Sequence, residues 1–355
     1  MKKIAIITII DFKNYGNRLQ NYATTRIFEK IGYRAETINV IENDRVFIYN
    51  LRLIKRFIWD FLGIRKSSDK IPFRRFTKKH INNKITTIDY VYSEQFQKRY
   101  DYVALGGDQI WGPYMQTYGR LGYRFGDMLP PDRRITMCPS FGGTKIADED
   151  KGYFKKYLSE LKNISIREES GAKLIKEITG KDATVVVDPV MALTVDEWKK
   201  VFNTKKYSKD DYVLCCFLGG EDDFIKTKVN EIANGKEVKK VCSDTKESNE
   251  GPSGFLSLIY NAKAICTDSF HCAAFSVLFK KPLIVFDRIN IDKSQNTRLL
   301  NLLNKFNLDL RHIDKLKETE YYNCNYNTTD SILEKERKIF YDFLEMHLGE
   351  NEHEN

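Results

Sequence analysis

The chain has 355 residues, of which 42% are hydrophobic and 13% aromatic, and its net charge is +9. This length is enough for two domains of ordinary size, and the hydrophobic content excludes a largely disordered chain. No apolar run approaches the roughly 18 residues that cross a bilayer, so an integral membrane protein is not expected.

The first elements of the sequence predict a βαβ unit. Residues 3–10 are an apolar run, and because no small-residue cleavage site follows and Asp11 interrupts it, we interpret the run as a buried strand rather than a signal peptide. A helix is predicted at residues 17–31, ended by Gly32, and a second strand at 33–40.

A basic and aromatic segment covers residues 51–80. Between Arg52 and Lys79 it has ten basic residues against two acidic ones, with bulky apolar residues between them. A helix of this composition is typical of interfacial segments that bind anionic membranes, and the alternative is a solvated basic face whose aromatic residues pack on the domain. No nucleic-acid-binding module accompanies the charge, so nucleic acid is not an expected partner.

Short apolar strands and amphipathic helices continue to alternate, which favours an α/β fold with mostly parallel sheets. Further strands are predicted at residues 102–105, 135–141, 161–166, 183–187, 212–218, 238–242, 264–267 and 283–286. Thr194 and Glu197 form a capping-box pattern that opens a helix. The simplest architecture is two Rossmann-like domains, at residues 1–192 and 193–329, followed by a C-terminal helix and tail at 330–355.

The seven cysteines do not resemble a disulfide framework or a metal site. Their number is odd, no Cys-x-x-Cys pair occurs, and no histidine lies at zinc-ligand spacing from them. The acidic run at residues 148–150 is interpreted as the start of a helix rather than a metal site. We therefore predict free thiols in a reducing compartment, a cytoplasmic protein and no bound metal.

Polar residues cluster after the predicted strands, where ligands of open parallel sheets bind. They are Asp11, Asn14, Gly16, Asn17, Gly107, Asp108, Gln109, Ser140, Gly142, Ser165, Arg167, Glu168, Asp268, Ser269 and His271. The glycine spacing matches neither a dinucleotide fingerprint nor a phosphate loop with its lysine, which disfavours an NAD enzyme and an ordinary NTPase.

Three of these residues have two interpretations each. His271 follows a buried strand in the first turn of a helix, where it either contacts an anion and transfers a proton or hydrogen-bonds a carbonyl of the core. Arg167 is either a clamp for a carboxylate or phosphate or the ion-pair partner of Glu168 or Glu169. Asp108 is either a base or a helix cap.

Seven motifs in a fixed order carry a resemblance to a known family. They lie at residues 14–23 (NYGNRLQNYA), 107–111 (GDQIW), 140–142 (SFG), 165–170 (SIREES), 188–190 (DPV), 268–271 (DSFH) and 296–298 (NTR). Together they resemble the polysaccharide pyruvyl transferase family over residues 4–305. The family often has serine at the position of Gly107, glycine at that of Cys272 and serine at that of Thr297; neither of the last two differences removes a charged group.

This resemblance implies a GT-B-like arrangement of two Rossmann-like domains with an interdomain cleft. It also implies phosphoenolpyruvate as donor, a pair of sugar hydroxyls as acceptor, and donor contacts from Arg167 and His271. We expect Arg167 to bind the carboxylate and His271 to contact the phosphate and transfer a proton. Ser269 is a further donor-binding residue, and Arg298 is a second anion contact. Asp108 or Glu168 is expected to act as base. The residues expected to bind the acceptor are Asn14, Asn17, Gln20, Asn21, Gln109 and Glu168.

The expected function is that of a pyruvyltransferase that forms a pyruvate ketal on a surface polysaccharide, such as an exopolysaccharide or capsule, or on its lipid-linked precursor. Phosphoenolpyruvate is a co-substrate, and no cofactor is expected. If the acceptor carries a polyprenyl phosphate, the basic segment at residues 51–80 would hold the protein at the inner face of the cytoplasmic membrane. The alternatives are a nucleotide-sugar-dependent GT-B glycosyltransferase and a non-catalytic membrane-associated scaffold.

Overall fold

The computed structural model describes residues 1–11, 13–41, 70–112, 121–241, 250–289 and 296–349. The chain divides into two compact units, Met1–Val185 and Val186–Asn355, and each contains its own parallel sheet. The predicted α/β fold with two Rossmann-like parallel sheets is thereby confirmed. Of the basic segment, residues 51–69 lie outside the described part. No helix within the described ranges combines the length and apolarity that crossing a membrane requires.

The first unit contains a five-stranded parallel sheet in the order β3-β2-β1-β4-β5. Its strands are β1 (Lys3–Ile7), β2 (Arg34–Ile41), β3 (Asn83–Thr87), β4 (Tyr102–Gly106) and β5 (Arg134–Met137). β1 pairs with β2 on one side and with β4 on the other. The strand order therefore reverses between β1 and β4, and ligands of such sheets bind beyond the carboxyl ends of the strands at this position.

Helices cover this sheet. In the described ranges they are α1 (Tyr15–Lys30), α2 (Lys70–His80), α3 (Ile88–Val91), α4 (Glu94–Arg99), α5 (Asp148–Glu160) and α6 (Glu169–Thr179). A separate two-stranded sheet pairs β6 (Ser165–Ile166) with β7 (Thr184–Val185). α1 begins two residues before the predicted position, because the Asn14 side chain accepts a hydrogen bond from the Asn17 amide and caps the helix. The acidic run 148–150 opens α5, as expected.

The loop after β4 is held by a buried aromatic cluster. Trp111 stacks on Phe125 with ring centroids 5.6 Å apart, and its indole Nε1 donates to the carbonyl of Arg124. The buried Arg124 side chain donates in turn to the carbonyls of Ile110 and Gly112. Because both ends of the loop are fixed in the core, the polar residues just after β4 have a defined position.

The second unit contains a four-stranded parallel sheet in the order β11-β10-β8-β9. Its strands are β8 (Tyr212–Cys216), β9 (Glu237–Val241), β10 (Ala264–Thr267) and β11 (Leu283–Val285). The helices among its described residues are α7 (Pro189–Ala192), α8 (Val195–Lys199), α9 (Asp223–Ala233), α10 (Gly251–Asn261), α11 (Phe270–Leu278), α12 (Thr297–Lys305) and α13 (Thr329–Gly349). The predicted capping box of Thr194 and Glu197 opens α8 and is confirmed.

The first unit ends at Val185, earlier than the expected boundary at residue 192. The intervening residues belong to the second unit because α13 is bonded to them. The Arg337 guanidinium donates to the carbonyl of Met191 at 3.0 Å and to that of Leu193 at 2.8 Å. The C-terminal helix is accordingly part of the second unit rather than a separate segment.

Candidate active site

In the first unit, Asn17 joins the loops that follow β1 and β4. Its Nδ2 donates to Asp108 Oδ2 at 2.8 Å and to the Ile9 carbonyl at 2.6 Å. Its Oδ1 accepts from the Asp11 amide at 2.9 Å and from Arg18. An amide has two donor hydrogens and two acceptor lone pairs, so the hydrogen-bonding capacity of Asn17 is used within the chain.

Arg18 is a buried cation to which the sequence pattern assigned no role. It is fully buried and donates to Asn17 Oδ1 at 2.6 Å and to the Ile9 carbonyl. Burial lowers the pKa of Arg18 to about 10, although the nearby carboxylates of Asp11 and Asp108 act in the opposite direction. A positive charge therefore lies directly behind the two carboxylates at this edge of the sheet.

Gln20 and Asn21 lie against the sheet. Gln20 Nε2 donates to the Gly106 carbonyl and to Thr24, and Asn21 Oδ1 accepts from Thr37 at 2.7 Å. Both side chains are fully buried. These contacts are internal to the fold, so their role in acceptor binding stays a prediction.

Of the residues predicted to bind the acceptor or to act as base, Asn14, Asp108 and Gln109 are not fully buried. Asp108 Oδ1 accepts from the Gln109 amide at 2.7 Å, and Asp108 begins no helix, which removes the helix-cap interpretation. The Gln109 side chain lies against Gly142, where an added Cβ would be 2.8 Å from its Oε1. A carboxylate and two amides are thus available to a ligand here.

Arg167 and Glu168 form a buried ion pair next to this edge. Arg167 Nε lies 3.1 Å from Glu168 Oε1, and the Ser140 hydroxyl donates to the same oxygen at 2.5 Å. The Ser140 amide donates to the carbonyl of Asp108, which connects the pair to the loop after β4. The ion-pair interpretation of Arg167 is therefore observed, while a role as an anion clamp stays a prediction.

In the second unit, Asp268 fixes the loops after β8 and β10. Its two carboxylate oxygens accept from the amides of Leu218 at 2.7 Å and Gly219 at 2.8 Å, and Arg288 Nε lies 3.5 Å away. Burial raises the pKa of the Asp268 carboxyl above its ordinary value, although these donors and Arg288 oppose the rise. Asp268 thus places Ser269 and the start of α11.

His271 lies in the first turn of α11 and faces a buried carboxylate. Its Nε2 is 3.6 Å from Asp188 Oδ2, and the Asp188 side chain is 0% exposed. The other oxygen of Asp188 accepts from the Val190 amide at 3.0 Å and caps α7. His271 makes no hydrogen bond to a carbonyl within the described residues, so that interpretation of the histidine is not supported.

Asp188 belongs to one of the family-like motifs of the sequence, but the motif alone indicated no function for it. Two signals were available: Asp188 follows a predicted strand, and it precedes a proline that starts a helix. Arg288, which follows β11 and donates to the Asp268 carbonyl, was missed in the same way. Arg298 lies half-buried in the first turn of α12, after Asn296, whose side chain accepts from the Arg288 amide.

One group of possible metal ligands occurs in the described ranges of the chain, at Asp287, His312 and Asp314. Asp287 lies 3.4 Å from Nε2 of His312, and Asp314 lies 3.5 Å from its Nδ1. The two carboxylates flank opposite nitrogens of one ring, an arrangement that suits two hydrogen bonds better than a single ion. The absence of a bound metal stays a prediction.

Comparison with known proteins shows to which family the chain is similar. The family model described as polysaccharide pyruvyl transferase matches residues 14–290. A search of curated proteins returned no match.

Two of the similar solved structures are a UDP-N-acetylglucosamine 2-epimerase from Rickettsia bellii and the Arabidopsis thaliana protein UGT89C1 complexed with UDP. The first is 12% identical, with 98% of each chain covered and a TM-score of 0.43. The second is 9% identical, with 99% of each chain covered and a TM-score of 0.48. The family match covers most of the chain, and the protein therefore belongs to the polysaccharide pyruvyl transferase family and is a transferase that acts on polysaccharide.

Proposed function

We propose that the enzyme transfers the carbon skeleton of phosphoenolpyruvate onto two hydroxyls of one sugar and releases phosphate. The product is a pyruvate ketal on a surface polysaccharide or on its lipid-linked precursor. Family membership supplies the class of reaction. The observation that supports the donor assignment is the partly buried imidazole of His271, which lies in the first turn of α11 beside the carboxylate of Asp188.

The reaction requires one proton to be delivered and two to be removed. A proton is added to the methylene carbon of phosphoenolpyruvate, which creates an oxocarbenium-like centre at the neighbouring carbon. One sugar hydroxyl attacks that carbon and loses its proton, phosphate departs, and the second hydroxyl closes the ketal and loses its proton. The enzyme has to supply an acid, a base and positive potential for the phosphate.

His271 is proposed to contact the phosphate and deliver the proton. An imidazole exchanges protons near neutral pH, and the first turn of a helix offers amide groups to an anion. The Asp188 carboxylate would hold the ring in one orientation and stabilise its protonated form, as carboxylates do for catalytic histidines. The distance of 3.6 Å is longer than a hydrogen bond, and contacts of this kind shorten when substrate binds.

Arg167 is proposed to bind the donor carboxylate, while Ser269 and Arg298 supply further contacts to the donor. Guanidinium groups bind carboxylates in a bidentate manner, which fixes the orientation of the donor. Asp108 or Glu168 would accept the proton of the attacking hydroxyl. Asp108 is the less buried of the two carboxylates, and its Oδ2 already has an amide donor from Asn17.

The acceptor side is proposed to include Asn14 and Gln109, with Asn17, Gln20 and Asn21 behind them. Short amides next to a carboxylate are well suited to sugar hydroxyls, which both donate and accept hydrogen bonds. The proposal needs no cofactor, because phosphoenolpyruvate provides both the carbon skeleton and the leaving group.

The test is an incubation of the enzyme with phosphoenolpyruvate and candidate glycans, followed by phosphate measurement and mass spectrometry of the glycan. We expect phosphate release together with the mass increment of one ketal. His271→Gln should reduce both on the order of 10²-fold or more. His312→Gln is the matched control, because His312 is also flanked by carboxylates in the second unit and has no proposed role.

Two outcomes would replace the proposal. Release of a nucleoside diphosphate from a nucleotide sugar, with no reaction of phosphoenolpyruvate, would indicate a glycosyltransferase. Normal polysaccharide formation in cells that carry only the His271→Gln protein would indicate a non-catalytic scaffold.

A further inference from the structure

A basic cavity lies in the first unit at the β3 edge of the sheet. It has a volume of about 950 Å³, and its lining comes from the second half of α1, from α2 and from β2 and β3. The basic side chains that line it are Arg26, Arg74, Arg75, Lys78, Lys79 and His80. The residues proposed to bind the acceptor lie elsewhere, in the first turns of α1 and after β4.

The charges around this cavity are not balanced. Among the described residues that line it, Glu29 is the only acidic one, and its carboxylate lies 2.8 Å from Arg26. Arg75, Lys78 and Lys79 are exposed, and none of them joins an ion pair with another residue of the described ranges. Burial, together with the neighbouring charges of Lys79 and Arg26, lowers the pKa of His80. The cavity therefore has a positive potential that no part of the described chain neutralises.

Packed aromatic rings support two of the residues that line the cavity, Arg26 and His80. Tyr22 packs against Phe76 and His80, and the Arg26 guanidinium lies 5.4 Å from the centre of the Tyr22 ring. Arg26 donates to the His80 carbonyl, while its Nε is buried and has no hydrogen-bond partner in the part of the chain that the structure describes. The lining also contains the amide side chain of Asn83. The ring contacts and this hydrogen bond hold Arg26 and His80 in place beside the cavity.

We propose that this cavity binds a phosphate ester group carried by a lipid. Several converging cations with amide donors are the chemistry that recognises phosphate. Cations near the end of α2 also stabilise the helix dipole, which accounts for Lys78 and Lys79 but not for Arg26, since that residue belongs to α1. The source of the phosphate is either a polyprenyl-phosphate-linked sugar or an anionic phospholipid. The proposal does not depend on the transfer of pyruvyl groups.

The experiment compares the full-length chain with two double variants. Lys78→Gln with Lys79→Gln removes two charges from the cavity. Lys155→Gln with Lys156→Gln removes two adjacent exposed charges from α5 and is the matched control. Binding is measured for farnesyl diphosphate in solution and for phosphatidylcholine vesicles with and without phosphatidylglycerol.

Saturable binding of farnesyl diphosphate, weakened on the order of tenfold in the cavity variant and unchanged in the control, supports the proposal and favours a polyprenyl-linked ligand. Binding to phosphatidylglycerol vesicles alone, with the same dependence on the variants, supports it and favours a phospholipid headgroup. No binding to either probe, or equal weakening in both variants, would overturn it. Phosphate release from phosphoenolpyruvate with a soluble glycan reports separately on the proposed function.

Discussion

Replacement of Asp188 by asparagine tests whether the buried carboxylate supports a charged imidazole at His271. Asparagine has the same shape and is an equally good N-cap, so it retains the hydrogen bond from the Val190 amide that begins α7. The substitution removes only the negative charge that faces the ring. We therefore expect little loss of folding stability and a large loss of activity.

The size of the effect follows from the geometry. Two unit charges 3.6 Å apart attract each other by about 4–5 kcal/mol at an effective dielectric constant of about 20. The single oxygen of asparagine stays with the Val190 amide, so its uncharged NH2 group faces the ring, and at least about 3–4 kcal/mol should be lost whenever the imidazole becomes charged. This corresponds to a decrease in kcat of roughly 10²–10³.

The assay is phosphate release from phosphoenolpyruvate over a range of pH, together with urea denaturation of each variant. Asp222→Asn is the matched control, because Asp222 is the N-cap of α9 and accepts from the Ile225 amide at 2.8 Å. The double variant of Asp188→Asn with His271→Gln should be no slower than His271→Gln alone, since Asp188 acts through the histidine. Full activity of Asp188→Asn, or losses that add in the double variant, would refute this reasoning.

Two further predictions concern the first unit. Gly107→Ala should destabilise the protein by about 2–4 kcal/mol in urea denaturation, because Gly107 has φ +79° and a Cβ would be 1.5 Å from Gln20 Nε2; unchanged stability would show that Gln20 moves freely. Burial would raise the pKa of Glu36, but hydrogen bonds from Tyr100 at 2.6 Å and Arg99 at 2.9 Å outweigh it and hold the pKa below its ordinary value. The resulting stabilisation is present above the pKa of about 4.3 that Glu36 has in the unfolded chain, and it disappears as the pH falls through the lower pKa of the folded protein. The difference in unfolding free energy between the natural protein and Glu36→Gln should therefore become smaller on acidification. A constant difference at all pH values would contradict this assignment.

The sequence pattern predicted most strands of both sheets, and β3 shows why one was missed. β3 (Asn83–Thr87) has a polar sequence and is only partly buried, since it lies at the edge of the sheet. A strand at the edge of a sheet needs no continuous apolar run, so the hydrophobic pattern of its sequence predicts the strand only weakly. Its position became evident only from its pairing with β2.

The candidate site was predicted as a set of residues that follow strands. In the structure, these residues make different kinds of contact. Gln20 and Asn21 are polar, and α1 nevertheless buries both of them against the sheet. Helical periodicity identifies the face on which a residue lies. It does not identify the partner that uses its donors, because those partners come from distant segments such as Gly106 and Thr37.

By itself, the sequence determined the family, the alternation of strands and helices, and the edges of the sheets at which polar residues collect. These properties follow from local patterns and from motifs of a few residues. The tertiary structure alone decided that His271 faces Asp188 and that Arg167 pairs with Glu168 beneath Ser140. The charge of a buried group depends on the atoms within a few ångströms, and folding brings those atoms from parts of the chain that local patterns cannot connect.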